Sequence, residues 1–302
     1  MKVLVTGGAG FIGSNLVEEL VKRGEDVIVL DDFSTGSLEN LKAVQGRVEV
    51  IRVPCQRILE LKLPEIKRIF HLGIPSSSPM YRDNPVLVGE AISGFMNVFE
   101  LARRNRAKVV YASTSSLYRG CPTPHREDMV SEPFDFYTEA RIAMERLARV
   151  YYELYGVSSV GMRFFSVYGP HERAKGRYAN NISQFLWAMR EGKPPEVYGD
   201  GEQTRDFVHV SDVVRACLLA ADSSLDCEVI NVGTGRQTSF NRVIELLNRA
   251  LGKSIKPVYL PNPVKNYVYH THADLTKARK LLGYEPAVSL EEGIRRLVAS
   301  ED

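Results

Sequence analysis

The 302 residues, 44% of them apolar, are enough to bury a sizeable core, which leaves one large domain or two coupled ones open. Thirty-nine basic side chains against thirty-seven acidic ones leave a formal charge of +2, which argues against a nucleic-acid partner held by bulk charge. No apolar run is long enough for a signal segment or a membrane span, so a cytoplasmic chain without a membrane partner is expected.

At the amino terminus the apolar run Val3-Leu4-Val5 leads straight into Gly7, Gly8, Gly10 and Gly13, and then into a helical pattern over residues 15–22. A turn without side chains, set against the positive end of a helix, lets backbone N–H groups approach a pyrophosphate. The third glycine lets helix and strand pack closely. The spacing satisfies both Gly7-x-x-Gly10-x-x-Gly13 and Gly8-x-Gly10-x-x-Gly13. A second apolar strand at 27–30 ends in Asp31, eighteen positions after Gly13, where a carboxylate accepts ribose hydroxyls and repels a 2′-phosphate. Together these features read as a dinucleotide cradle that favours NAD over NADP.

Further β-branched or apolar runs fall at 48–53, 68–72, 108–112, 158–163 and 228–232. Helical periodicity marks 86–104, 136–155, 178–191, 211–221, 240–251, 275–282 and 290–298. Alternating strands and helices predict an α/β fold, a doubly wound parallel sheet, with a smaller mixed α/β lobe. The expected division is 1–165 for the dinucleotide-binding domain, which also receives about 205–235, and 166–302 for an interleaved substrate lobe. Cys55, Cys121, Cys217 and Cys227 have neither Cys-x-x-Cys nor zinc spacing, which predicts free thiols. His270-x-His272 lacks an evident third ligand, so no metal is expected.

Two segments carry the expected chemistry. Val109-Val110-Tyr111-Ala112-Ser113-Thr114-Ser115-Ser116-Leu117-Tyr118 puts hydroxyls beyond a strand's carboxyl end, where open parallel sheets bind ligands, although such a turn is also common loop chemistry. In Tyr137-Thr138-Glu139-Ala140-Arg141 the first and last residues share a helix face, and a cation beside a phenol makes it a better base for a substrate hydroxyl.

With these segments the chain resembles the extended short-chain dehydrogenase/reductases, specifically the NAD-dependent nucleotide-sugar epimerases and dehydratases of the UDP-glucose 4-epimerase type. The resemblance spans nearly the whole length. It rests also on Phe70-His71-Leu72-Gly73, on the run Arg163-Phe164-Phe165-Ser166-Val167-Tyr168-Gly169-Pro170, and on residues 198–207, from Tyr198 through Phe207 and including Arg205. It implies that Thr114 holds the sugar oxygen, Tyr137 is the acid/base and Arg141 takes the place of the family's lysine. It further implies NAD contacts from Gly7, Gly10, Phe11, Ile12, Gly13, Asp31, Phe33, Ser34, Thr35, Gly36, Leu72, Gly73, Tyr137, Arg141 and Phe164. Substrate contacts are implied for Thr114, Ser115, Ser166, Asn181, Tyr198 and Arg205, the last clamping a diphosphate. The sequence departs from the family at Arg141, at Ser166 and Ala91 where asparagines are usual, at Cys55 near an adenine-binding aspartate, and at Val264 where many relatives carry arginine.

Elimination of water needs a separate acid and base, and dehydratases of this type follow the threonine with Asp-Glu; decarboxylases carry glutamate at the second of those positions. Here Ser115-Ser116 follow, which favours C4 epimerisation of a UDP-hexose through a 4-keto sugar. A loop resembling that of decarboxylases, Pro75-Ser76-Ser77-Ser78-Pro79-Met80-Tyr81, keeps decarboxylation as the enzymatic alternative. Because Arg141 replaces lysine, an NAD- or nucleotide-sugar-binding protein with weak turnover is the alternative of another class. A homodimer is expected through 86–104 and 136–155, with Ile142, Leu147, Tyr151 and Leu154 supplying apolar surface or, equally, facing the sheet.

Overall fold

A computed structural model describes residues 2–129, 131–263 and 267–300. Val264 lies outside them. The chain opens with β1 (Lys2–Thr6), α1 (Phe11–Lys22), β2 (Val27–Asp31), β3 (Glu49–Arg52) and β4 (Ile66–His71). Then come α2 (Ser78–Asp83), α3 (Leu87–Asn105), β5 (Lys108–Thr114), α4 (Phe136–Tyr155) and β6 (Ser159–Phe164). The lobe begins with β7 (Ser166–Tyr168), α5 (Asn181–Arg190), β8 (Glu196–Tyr198), β9 (Thr204–Arg205) and β10 (Phe207–His209). After α6 (Val210–Asp222), β11 (Cys227–Val232) and β12 (Thr238–Ser239) come α7 (Phe240–Leu251), β13 (Val258–Leu260), α8 (Thr276–Leu282) and α9 (Leu290–Ala299).

Seven strands form one sheet in the order β11-β6-β5-β4-β1-β2-β3, and every pairing is parallel. Successive residues of a strand point to opposite faces, and the apolar runs serve both. Val3, Val5, Val27 and Val29 join α1, α6 and α8 in one core, while Leu4, Ile28 and Leu30 join α3 and α4 in the other. Each such fully buried aliphatic side chain contributes roughly 2 kcal/mol. A third core, built from α5, α7 and α9, belongs to the lobe. Strand order reverses at β1 and β4, which opens a crevice beyond their carboxyl ends.

The short strands β7, β8, β9, β10, β12 and β13 were not anticipated, and two helices also differ from the sequence expectation. Helix α1 begins at Phe11, four residues early, because Gly10 is its N-cap and Gly13 lies within the first turns. The α2 helix starts with Pro79 in its first turn and is too short at six residues to show a period. The apolar stripe of α4 also turns inward: Ile142 is buried, and Leu147 and Tyr151 pack on the core shared with α3, leaving Leu154 exposed. Among the described residues no helix is long and apolar enough to cross a membrane, and all four cysteines are free.

Candidate active site

A cleft of about 430 Å3 runs beyond the carboxyl ends of the central strands. On one wall, Gly7 has a φ of +67°, and a Cβ there would meet the amide nitrogen of Gly73 at 2.5 Å. A Cβ on Gly13 would collide with the carbonyl oxygen of Gly7. Both positions therefore exclude side chains, and the first turn of α1 faces the cleft with its backbone bare.

Asp31, at the end of β2, is held by its own backbone surroundings. One carboxylate oxygen accepts from Ala9 N at 2.9 Å and the other from Phe33 N at 2.8 Å. Burial pushes its carboxyl above the ordinary carboxylate range, against the pull of those two N–H groups. Each oxygen retains a lone pair for a ribose hydroxyl. A side-chain-free cradle, a helix N-terminus and a carboxylate one strand away fit a dinucleotide.

The cleft continues past β5. Thr114 caps the short 3-10 turn of Ser115–Tyr118, its Oγ accepting from Ser116 N at 3.1 Å. Asp135 and Thr138 form a capping box at the start of α4, and Asp135 also accepts from Ser78 Oγ at 2.5 Å, which ties α2 to the helix that carries Tyr137. The Tyr137 ring lies 5.1 Å from the Arg141 guanidinium carbon and 5.5 Å from the Tyr81 ring. Arg141 is buried, and its two terminal nitrogens donate to Ala112 O at 2.7 Å and Pro75 O at 2.8 Å. The cation thus joins the end of β5 to the loop after β4, beneath the phenol. Burial of the His71 ring, and in smaller part the charge of Arg141, pushes its imidazole down to about 3. Neutral His71 meets Thr6 Oγ through Nδ1 at 2.7 Å.

One turn beyond Arg141, Glu145 accepts from Ser113 Oγ at 2.5 Å and pairs with buried Arg163 at 2.7 Å, locking α4 to β5 and β6. Gly7, Gly10, Phe11, Ile12, Gly13, Asp31, Ser34, Thr35, Gly36, Leu72, Gly73, Thr114, Ser115, Tyr137, Arg141, Phe164 and Ser166 all line this one cleft. Cys55 and Ala91 line it as well.

Four expected site residues are not among its walls. Phe33 takes a positive φ of 62° and lies under the Arg52 guanidinium at 5.5 Å. Asn181 is exposed in the first turn of α5, and its neighbour Asn180 lines the cleft instead. Tyr198 is 44% exposed on β8. Arg205 lies between the rings of Phe240 and Tyr267, at 5.5 and 5.3 Å, and donates to the carbonyls of Thr204 and Tyr269. Burial there lowers the proton affinity of its guanidinium.

Sequence reading did not single out Glu172, Lys175 and Tyr178, which line the cleft from the lobe side. Glu172 and Lys175 sit in a segment without periodicity whose sole signal was the run of charge at 172–177, and Tyr178 stands at the edge of the helical pattern at 178–191. His270 and His272 turn to different partners, Thr204 Oγ and Gly235 O. Among the described residues no group of three or more His, Cys, Asp or Glu is arranged to hold a metal ion.

The family profile described as NAD dependent epimerase/dehydratase family matches residues 3–233. A UDP-glucuronate 4-epimerase of Thermodesulfobacterium geofontis is 36% identical over 98% of this chain and 94% of its own. UDP-glucuronic acid decarboxylase 1 of Arabidopsis thaliana is 34% identical over 99% of this chain and 69% of its own. The solved UDP-glucose 4-epimerase of Thermotoga maritima, with UDP-glucose, is similar with a TM-score of 0.91 at 35% identity, covering 99% of this chain and 98% of that one.

Proposed function

The chain belongs to the NAD dependent epimerase/dehydratase family and uses NAD, and from that premise we propose that it inverts C4 of a UDP-hexose through a 4-keto sugar. The observation that supports this reading most is that Thr114 and Tyr137 line one cleft, with Ser115 and Ser116 where an elimination would need carboxylates. The glycine turn and Asp31 would hold NAD, which would supply reversible hydride-transfer chemistry when bound. Tyr137 takes the proton of the C4 hydroxyl and gives it back, so a single acid/base group suffices. Thr114 holds the sugar oxygen, and Arg141 orients the phenol from beneath.

Incubation with UDP-glucose, UDP-galactose, their N-acetyl forms and UDP-glucuronate, followed by chromatography, tests the reading. Interconversion of C4 epimers is the expected result. Tyr137→Phe should lower turnover about 1000-fold while leaving NAD affinity nearly unchanged. UDP-glucuronate is included because the loop at 75–81 resembles that of decarboxylases; release of CO2 with a UDP-pentose would replace epimerisation. NAD binding without any product would favour the binding-protein alternative.

We also propose a homodimer through α3 and α4, supported by exposed Met96, Val150, Leu154 and Tyr155 on those helices. A monomeric mass by light scattering at micromolar concentration would count against it.

A further inference from the structure

The lobe-side wall carries an ion pair that neither the glycine turn nor the Tyr137 wall accounts for. Glu172 is 1% exposed. Its carboxylate accepts from Ser183 Oγ at 2.6 Å, from Asn180 N at 2.8 Å and from Lys175 Nζ at 2.8 Å. Lys175 reaches from there toward the sheet, and its ammonium lies 5.4 Å from the centroid of the Phe11 ring. Phe11 is the first residue of α1, and Lys175 lines the same cleft as the glycine turn that precedes that helix.

The Glu172 carboxylate already offsets the charge of Lys175, and the ammonium's remaining donors, in the cleft that the positive end of α1 also faces, favour a further anion there. The neighbouring segment is docked rather than loose. Asn15 Nδ2 donates to Pro170 O at 3.0 Å, Ser14 Oγ meets His171 Nδ1 at 3.0 Å, and Asn40 Nδ2 donates to the carbonyls of Ala9 and His171. Among the described residues that line the cleft, the cations are Arg141 and Lys175. Arg141 has both terminal nitrogens committed to carbonyls. Lys175 has three donors and gives one to Glu172.

We propose that Lys175 is a phosphate-binding residue of the cofactor site, its ammonium taking a pyrophosphate oxygen of NAD opposite the start of α1. Glu172 holds the side chain in place, so less rotamer freedom is lost on binding. The inference rests on the dinucleotide reading of the cleft, and its test separates the two.

Titration calorimetry of the full chain with NAD, UDP and adenosine supplies the readout. Removing the cation alone leaves Glu172 facing the anion, so Lys175→Gln is paired with the double variant Glu172→Gln/Lys175→Gln. NAD affinity should fall about tenfold in the double variant and further in the single one. Adenosine, which has no phosphate, should bind all forms alike, and Lys175→Arg should restore most of the loss. The dependence of NAD affinity on salt should flatten in both Gln variants. Unchanged NAD affinity in the double variant overturns the proposal, as does a fall for UDP with NAD untouched, which assigns the cation to the substrate's diphosphate. Failure of the unmodified chain to bind NAD at all sinks the cofactor reading itself.

Discussion

The sheet side and the lobe side of the cleft are built by different means. On the sheet side the decisive contacts are between backbones, Gly7 against Gly73 and Gly13 against Gly7. On the lobe side they are side-chain bonds between distant loops. Away from the cleft walls, buried Asp206, between β9 and β10, accepts from Thr234 N at 2.7 Å, Thr234 Oγ at 2.6 Å, Gly235 N at 2.9 Å and Ala273 N at 3.0 Å. Burial pushes its carboxyl upward while those donors pull the other way. A wall made by backbone approach constrains residue type at fixed spacing, and a wall made by side-chain networks does not.

The largest expected effect tests the lobe half of that contrast. Asp206→Ala strands the N–H groups of Thr234, Gly235 and Ala273, the last of them buried, and should cost about 4 kcal/mol in denaturant unfolding. A loss below about 1 kcal/mol would show that the lobe does not depend on this carboxylate. Next is Gly13→Ala, whose Cβ has no room beside the Gly7 carbonyl. It should cost about 3 kcal/mol and weaken NAD binding measured by calorimetry, since the turn must shift to admit a methyl group. Normal stability and normal affinity together would remove the argument from close backbone approach.

The smallest effect sits where the two modes meet. Arg141 is a side chain tying two backbone carbonyls, those of Ala112 and Pro75, which a single ammonium does not span as a fork does. Arg141→Lys should lower stability by about 2 kcal/mol and reduce turnover, although lysine is the family's usual residue. A variant with unchanged melting and faster turnover would instead make Arg141 an exchangeable cation, and the carbonyl contacts incidental.

The same contrast explains what was legible in the sequence. All seven strands of the sheet were readable because runs such as Val3-Leu4-Val5 and Val27-Ile28-Val29-Leu30 are apolar on both faces. The glycine turn and Asp31 were readable because their spacing follows from geometry. Lys175 and Glu172 were not, because nothing in residues 172–177 repeats with a period. Arg205 was read as a diphosphate clamp; its contacts with the rings of Phe240 and Tyr267 were not legible, because no local pattern announces a partner more than thirty positions away. The inward turn of the α4 stripe has a similar origin: a helix face reads as apolar whether a neighbour in the same chain or in another covers it.

Strand β11 reaches the central sheet, beside β6, after the chain has already passed through β7, α5 and β8, and the chain then leaves again for α7 and α9. An engineer who wished to graft a different ligand-facing half onto this scaffold would find no single splice point, because one cut after β6 would remove the sheet's edge strand along with the lobe. Recombination between relatives faces the same obstacle. New specificities on this framework are more accessible through substitutions and short loop exchanges than through shuffling of whole modules.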